Sequence, residues 1–162
     1  MSAENINGWL AGRLPDDWFE AEPEITTDRD EVLVVGRLTR PEGSDTDVES
    51  GRIARFREDT RERRMRIARE TEQRFDRKVS WGAVCGETRE LFTTLSVPVM
   101  TRLRQPERQV LDTLVDAGVA RSRSHALAWC VRLVGQHSDD WLAQLRSAME
   151  EVQRVREQGP AA

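Results

Sequence analysis

The chain has 162 residues, of which 33% are charged and 38% hydrophobic, and its mean hydropathy is −0.65. A bilayer span needs about 20 consecutive apolar residues, and no run in this sequence approaches that length. The acidic, polar start MSAENINGW does not resemble a signal peptide. These features argue against a membrane partner and predict a cytoplasmic protein with one small domain and appended segments.

The net charge of −4 conceals a strong asymmetry along the chain. Residues 1–50 hold 13 acidic and 4 basic side chains, residues 51–78 hold 6 acidic and 11 basic ones, and residues 79–162 hold 10 of each. The pI near 5.4 argues against a protein that coats nucleic acid in bulk, although a locally basic face can still bind DNA. Lys78 is the only lysine, so the basic middle of the chain is arginine-rich.

The acidic N-terminal segment, residues 1–50, is predicted to contain packed aromatic residues and a β-hairpin. Its stretch GWLAGRLPDDWFE is dense in tryptophan, leucine and phenylalanine, which is typical of core packing. A docking patch for a protein partner is the alternative. The apolar runs at 24–27 and 31–38 flank a polar turn that begins at Asp28, which is the pattern of a hairpin.

Residues 51–78 are predicted to form most of one long charged helix over about 47–77. Thr46 and Glu49 fit a capping box at its start, and no proline interrupts the chain before residue 98. Its apolar positions are sparse, so a solvated helix with i,i+4 ion pairs is the simpler prediction. The alternative is a basic ridge along DNA phosphates. The candidates for such a ridge are Arg63, Arg64 and Arg66.

A second hairpin is predicted over 79–95, where one β-prone run precedes a turn at Gly86 and another follows it. Cys85 lies beside this turn, and Cys130 lies in an unrelated context. Their spacing fits neither a metal site nor a disulfide scaffold, so we expect reduced thiols and no metal or cofactor. Nothing in the sequence has the spacing of a catalytic triad or a phosphate-binding loop, and we expect no enzymatic activity.

The C-terminal half contains the sharpest element boundaries. Residues 97–103 alternate β-prone side chains and are predicted to form a strand. Pro106 suits the first turn of a helix because its missing N–H would have no partner there, and Gly118 can end that helix with a positive φ. Ser122 can then cap a second helix, which Gly135 closes.

The last segment, residues 136–162, is predicted to form a C-terminal helix and a tail. Ser138 is a good N-cap, and apolar residues then recur at spacings of three and four up to about Gln158. These apolar residues are Leu142, Leu145, Met149, Val152 and Val155. Such a stripe packs on its own domain or crosses to a partner subunit.

The strand, helix, GVARSRS turn and helix between residues 95 and 135 resemble the ribbon-helix-helix (MetJ/Arc/CopG-like) DNA-binding family. The resemblance implies a homodimer whose two strands form an antiparallel ribbon in the major groove, while helix N-termini hold phosphates. It assigns base contacts to Met100 and Arg102. It assigns phosphate contacts to Arg121, Ser122, Arg123 and Ser124.

Two alternatives to this interpretation stay open at the level of the sequence. The two helices could form a hairpin buried inside a larger fold, since apolar stripes usually mark a core. The strand could instead occupy 92–97, which would present Thr94 and Ser96 to the groove. That register leaves a long connection before Pro106, so the later register is preferred.

The expected fold is therefore α+β, with N-terminal β-hairpins, one long arginine-rich helix, a ribbon-helix-helix-like module within residues 79–135 and a C-terminal helix. The leading functional hypothesis is a homodimeric transcriptional regulator that binds double-stranded DNA. The alternative is a dimeric interaction or scaffold protein that has lost DNA reading. Pro98 and Met100 favour this alternative because neither residue suits a base-reading strand, and the acidic N-terminal half would then bind a protein partner.

Overall fold

The computed structural model describes residues 3–43 and 45–158, which form six helices and a four-stranded sheet in an α+β arrangement. The chain divides into two compact units, with the boundary after Val99. We call the first the sheet unit and the second the helical unit. The sheet unit contains α1 (Ala3–Arg13), β1 (Glu24–Thr27), β2 (Glu31–Arg37), α2 (Thr46–Asp59), α3 (Arg61–Phe75), β3 (Lys78–Cys85) and β4 (Thr88–Leu91). The helical unit contains α4 (Gln105–Asp116), α5 (Arg123–His137) and α6 (Asp139–Gln158).

The four strands lie in the order β1-β2-β3-β4, and the two central strands are parallel. β1 pairs antiparallel with β2, placing Glu24 opposite Val35, and β3 pairs antiparallel with β4, placing Cys85 opposite Thr88. Both predicted hairpins are therefore present. The parallel pairing of β2 with β3 requires a crossover connection, which α2 and α3 provide.

Each hairpin turn has its own chemical cause. Asp28 Oδ1 accepts hydrogen bonds from the N–H groups of Asp30, at 2.8 Å, and Glu31, at 2.7 Å, and these bonds lower the pKa of Asp28. In the β3–β4 turn, Gly86 has a φ of +57°. Glycine adopts this conformation without steric cost at the first central position of a type II′ turn. The polar and glycine signals that predicted the hairpins are thus the residues that form the turns.

The core of the sheet unit lies between one face of the sheet and the three helices. Alternate residues of the central strands point into this core, among them Val32, Val34 and Trp81. The helices contribute Ile6, Leu10, Ile53, Phe56, Ile67 and Phe75. The N-terminal aromatic residues belong to the same core, because Trp18 is buried with its ring 6.1 Å from that of Trp81. The prediction that they pack in a core is confirmed.

The predicted single helix over 47–77 is wrong, because two helices meet at Thr60. The Thr60 hydroxyl donates to the carbonyl oxygen of Phe56, at 2.6 Å, and accepts from Arg64 Nε, at 2.9 Å. A threonine that bonds back to the preceding turn in this way bends a helix. α3 then ends at Asp76, whose left-handed φ of 55° terminates the helical backbone.

Glu49 is a buried carboxylate that joins α2 to the β3–β4 turn. Its predicted role in a capping box with Thr46 is wrong, because Asp45 caps the helix and Glu49 points inward. Glu49 Oε2 accepts from the hydroxyl and the N–H of Thr88, at 2.8 and 3.1 Å. Arg40 Nε lies 2.8 Å from Oε1. One carboxylate therefore fixes the hairpin against the helix.

The predicted strand over 97–103 is wrong in this structure. Residues 93–104 form neither a helix nor a strand, and the sheet ends at β4. The reason is the lack of a partner, since no other segment of the described chain pairs with these residues and a strand exists only through its ladder of hydrogen bonds. Alternating β-prone side chains alone are not sufficient to form a strand.

The three C-terminal helices begin close to where the sequence predicts. Pro106 lies in the first turn of α4, and Ser122 caps α5 by accepting a hydrogen bond from the N–H of His125, at 3.2 Å. α6 starts directly after Ser138. α5 continues through Gly135, so this glycine does not end it as predicted. None of the helices in the described part of the chain has the length and apolar character needed to cross a membrane.

Candidate functional surfaces of the helical unit

The buried core of the helical unit is very small. Among its described residues, only Leu111, Ala120 and Ala126 form a buried cluster. The half-buried residues packed around them are Leu103, Leu114, Val115, Leu127 and Cys130. These contacts join α4 to α5, which form the helical hairpin of the unit. Two of the three buried residues are alanines, so the hairpin buries little apolar surface and gains little stability from it.

The corner between α4 and α5 has a well-defined backbone. Gly118 has a φ of +74°, and the N–H groups of Val119 and Ala120 both donate to the carbonyl oxygen of Leu114, at 3.0 and 3.1 Å. These are the contacts that satisfy the last carbonyls of a helix at a glycine C-cap. The corner therefore fixes where α5 begins.

The four residues predicted to hold phosphates lie at the start of α5, two before the helix and two in its first turn. Arg121, Ser122, Arg123 and Ser124 are all exposed. The Ser122 hydroxyl already accepts the capping hydrogen bond, and the N–H of Arg121 donates to His125 Nδ1, at 3.3 Å. This turn is therefore an exposed, capped helix start with two arginines beside it.

One of these arginines has an internal partner. Arg123 Nε and Nη2 donate to the two carboxylate oxygens of Asp112, at 2.7 and 2.8 Å. These hydrogen bonds lower the pKa of Asp112 and raise that of Arg123. The pair joins α5 to α4, so the charge of Arg123 is largely compensated within the hairpin.

The two predicted base-contacting residues lie in the irregular segment before α4. The Met100 side chain is 98% exposed, and Arg102 is also exposed. No hydrogen bond or ion pair among the described residues joins either of them to the first turn of α5. Arg121, Ser122, Arg123 and Ser124 are consecutive at the start of α5, while Met100 and Arg102 lie in the segment before α4.

α6 is the most unusual element of the unit, because none of its 20 residues is buried. Its apolar residues nevertheless follow one face, which we call the α6 stripe. The stripe consists of Trp141, Leu142, Leu145, Met149, Val152 and Val155. Within it, Leu142, Leu145, Met149 and Val152 follow the 3-4-3 spacing of a coiled-coil seam. On α5, Val131 and Val134 are also exposed, a feature that the sequence pattern did not predict.

The chain also contains cysteines and possible metal ligands. Burial raises the pKa of the Cys85 thiol, and the charge of Glu49 raises it further, so this thiol is a poor nucleophile at neutral pH. No group of histidine, cysteine, aspartate and glutamate in residues 3–43 and 45–158 is arranged to hold a metal ion. Exposed apolar side chains on helices are instead the feature typical of protein–protein contacts.

Comparison with known proteins places both units in a single family. Residues 4–91 match the family model described as the Rv1265-like protein, N-terminal domain, and residues 104–156 match the Mb1296 C-terminal domain. Uncharacterized protein Rv1265 of Mycobacterium tuberculosis is 59% identical over 155 residues, which cover 94% of this chain and 69% of that protein. Uncharacterized protein Mb1296 of Mycobacterium bovis gives the same values. No solved structure matches the chain.

The predicted membership of the ribbon-helix-helix family is wrong. The model that matches residues 104–156 is the Mb1296 C-terminal domain, and neither matching model is a ribbon-helix-helix one. The resemblance rested on a capped helical hairpin, and local signals of this kind occur in many folds.

Proposed function

The chain belongs to the Rv1265-like protein family, and we propose that it is a dimeric interaction protein whose helical units pair through the α6 stripe. The observation that supports this proposal is that α6 exposes five of the six residues of its apolar face, with Leu142 half-buried. Met149 is 70% exposed, and Trp141 is 59% exposed. Contiguous exposed apolar surface of this kind is rare on a monomer and marks a binding surface.

The energetics of an isolated helix support the same conclusion. A helix of 20 residues is only marginally stable in water unless one face packs against something. Fully burying a side chain such as leucine, valine or methionine contributes about 1.5–3 kcal/mol relative to leaving it exposed. The α6 stripe has five such residues and one tryptophan. Pairing therefore stabilises α6 itself as well as the complex.

A second copy of the chain is the occupant that the stripe fits best. The heptad spacing of Leu142, Leu145, Met149 and Val152 matches the spacing on an identical helix, and a twofold axis pairs a face with itself. Trp141 and Val155 widen this coiled-coil seam to three apolar positions in every seven residues. Core-facing helices in bundles have an apolar face of that width. Val131 and Val134 on α5 are exposed as well, so we propose a helical bundle in which both helices take part rather than an isolated two-stranded coil.

Light scattering coupled to size-exclusion chromatography tests this proposal on the full chain. We expect twice the monomer mass of 18.6 kDa at micromolar concentration. The double substitution Leu145→Glu/Met149→Glu places charge in the seam and should give the monomer mass. The matched control Gln144→Glu/Ser147→Glu adds the same charge to exposed positions outside the stripe and should remain dimeric.

Two outcomes would contradict the dimer proposal. The first is a wild-type mass of one chain at every concentration up to the millimolar range. The second is an equal loss of mass in the seam variant and in the matched control, because that result would reflect net charge rather than the stripe. Far-UV circular dichroism of both variants verifies that the sheet unit remains folded.

Binding of double-stranded DNA is a second candidate function. The observation that favours it is the exposed first turn of α5, where Arg121 forms no ion pair with any other described residue. Phosphate contacts by arginine weaken as salt rises, because binding releases counterions. A gel-shift titration at two salt concentrations should then show weaker binding at the higher one, and Arg121→Gln and Arg102→Ala should weaken it further. Absence of a salt-dependent shift would exclude this candidate and leave the dimer proposal intact.

A further inference from the structure

A second candidate site lies in the sheet unit, beside the junction of α2 with α3. It is an open pocket of about 600 Å³. Three arginines of the helices line it on one side, and residues at the end of β4 line it on the other. The arginines are Arg57, Arg61 and Arg64, and the residues near β4 are Glu90, Phe92 and Thr93. Pockets of this size accommodate small organic ligands.

Arg64 is the central residue of this pocket, because its charge is buried without an anionic partner. Its side chain is only 6% exposed. Nε donates to the Thr60 hydroxyl, at 2.9 Å, and Nη2 donates to the carbonyl oxygen of Arg57, at 2.7 Å. No carboxylate in the described residues lies within 4.0 Å of its guanidinium, and Nη1 has no hydrogen-bond partner among them. Arginine is rarely buried without such compensation.

Aromatic rings hold the guanidinium groups in place. Arg64 lies over the ring of Phe92, with its Cζ atom 4.9 Å from the ring centroid, and Arg57 lies over the same ring at 5.7 Å. Arg64 is also 6.0 Å from the ring of Trp81. These cation–π contacts fix the orientation of the cations but do not neutralise them.

The three arginines follow an i, i+4, i+7 pattern, which places them on one side of the α2–α3 segment. Burial lowers the pKa of Arg64 to about 10, and the like charges of Arg57 and Arg61 contribute to the same shift. Arg64 therefore stays protonated at neutral pH, and all three side chains are positive. Glu58 and Glu90 also line the pocket, but neither forms an ion pair with these arginines in the described chain. The charged residues that line the pocket are therefore three arginines and two glutamates, which leaves a net positive charge.

We propose that this pocket binds the phosphate group of a small ligand through Arg57, Arg61 and Arg64. A phosphate dianion compensates more of the mutual repulsion of three cations than a single carboxylate would. Guanidinium groups also match phosphate oxygens with paired hydrogen bonds. The site is independent of the α6 stripe, so either proposal can fail without the other.

Arg61→Gln is the most informative variant for this test. Arg61 is exposed and forms no hydrogen bond or ion pair with another described residue, so its replacement leaves the packing intact. Without phosphate, the variant should melt at a higher temperature than the wild type because it relieves repulsion on Arg64. Arg69→Gln is the matched control, since Arg69 is exposed on the same helix about two turns away and does not line the pocket.

Inorganic phosphate is the probe, with potassium chloride at matched ionic strength as the reference. We expect phosphate to raise the melting temperature of the wild type and of Arg69→Gln. In calorimetry, Arg61→Gln should bind phosphate at least about tenfold more weakly than the wild type does. Glycerol 3-phosphate distinguishes a phosphate monoester from the free ion, because a site for a monoester should bind it more tightly than inorganic phosphate. Glycerol, which lacks the phosphate group, is the control. Equal responses of wild type and Arg61→Gln, or no response beyond that to chloride, would overturn the proposal.

Discussion

The two units of this chain differ in how they use their apolar residues. The sheet unit places 15 buried hydrophobic residues in one cluster that joins three helices to the sheet. The described part of the helical unit places three in its cluster, of which two are alanines, while most of the apolar face of α6 is exposed. The difference indicates that the sheet unit is stabilised by contacts within its own chain. It supports the proposal that the helical unit completes its core with a second copy of the chain.

The two tryptophans Trp81 and Trp141 give the largest expected contrast between the units. Trp81 is 3% exposed and packs against the ring of Trp18, so Trp81→Ala should lower the free energy of unfolding of the sheet unit by about 3–5 kcal/mol. Trp141→Ala removes an exposed ring and should change the same quantity by less than about 0.5 kcal/mol. It should instead weaken dimerisation.

Hydrogen exchange of the β2 amides measures the unfolding free energy of the sheet unit, and dilution followed by light scattering measures dimerisation. The proposed difference between the units would be refuted if Trp141→Ala destabilised β2 as strongly as Trp81→Ala does. It would also be refuted if Trp141→Ala left the dimer dissociation constant unchanged.

Two glycines with positive φ, one in each unit, should give stability losses of intermediate size when each is replaced by alanine. A Cβ atom at Gly86 would meet the Glu49 carboxylate and Arg40, whereas a Cβ atom at Gly118 would meet nothing within 4 Å. Gly86→Ala should therefore cost about 1–3 kcal/mol of sheet-unit stability through strain and displacement of Glu49. Gly118→Ala should cost only the conformational part, about 1 kcal/mol, and only in the helical unit. Equal losses measured by urea unfolding would contradict the close approach at Gly86.

The Glu49 carboxylate provides a smaller effect that depends on pH. The hydroxyl hydrogen bond from Thr88 lowers the pKa of Glu49 below its ordinary value of 4.5, and the charge of Arg40 lowers it further, although burial opposes both. A carboxylate with a lowered folded-state pKa stabilises the fold above pH 4.5, and this stabilisation is lost as the pH falls through the lowered value.

Glu49→Gln should accordingly lower the melting temperature of the sheet unit at pH 7 by roughly a few degrees, since glutamine keeps one accepting oxygen. The difference from the wild type should shrink below pH 4.5. Glu87→Gln, at an exposed carboxylate in the same turn, is the control and should change neither the melting temperature nor its pH dependence. A pH-independent difference for Glu49→Gln would show that the carboxylate charge is not what stabilises the turn.

The elements that could be predicted from sequence are those with a local chemical cause. Asp28 and Gly86 form their turns with neighbouring residues, and Pro106 and Ser122 set helix starts in the same way. The α+β class followed from these elements. Whether a β-prone segment pairs with another strand depends on residues far away in the sequence. The alternating side chains over 97–103 therefore could not predict whether that segment forms a strand.

The site residues show the same division between local and long-range causes. The cap at Ser122 was predictable, but the pairing of Arg123 with Asp112 depends on how two helices pack. Arg64 was one of several candidate arginines on a helix that was expected to be solvated. Its burial depends on Trp81 and Phe92, which follow much later in the chain. The available signal was its position, because Arg64 falls at steps of three and four residues on the buried face of the helices. The other buried positions of that face are Ile53, Phe56, Thr60, Ile67, Thr71 and Phe75.

Hydrogen exchange of α6 and β2 at two protein concentrations tests the central claim most directly, because it compares the two units in one molecule. We predict that α6 amides are protected at high micromolar concentration and lose protection on dilution, while β2 amides remain protected throughout. Protection of α6 that does not change on dilution, in a particle with the mass of one chain, would contradict the account.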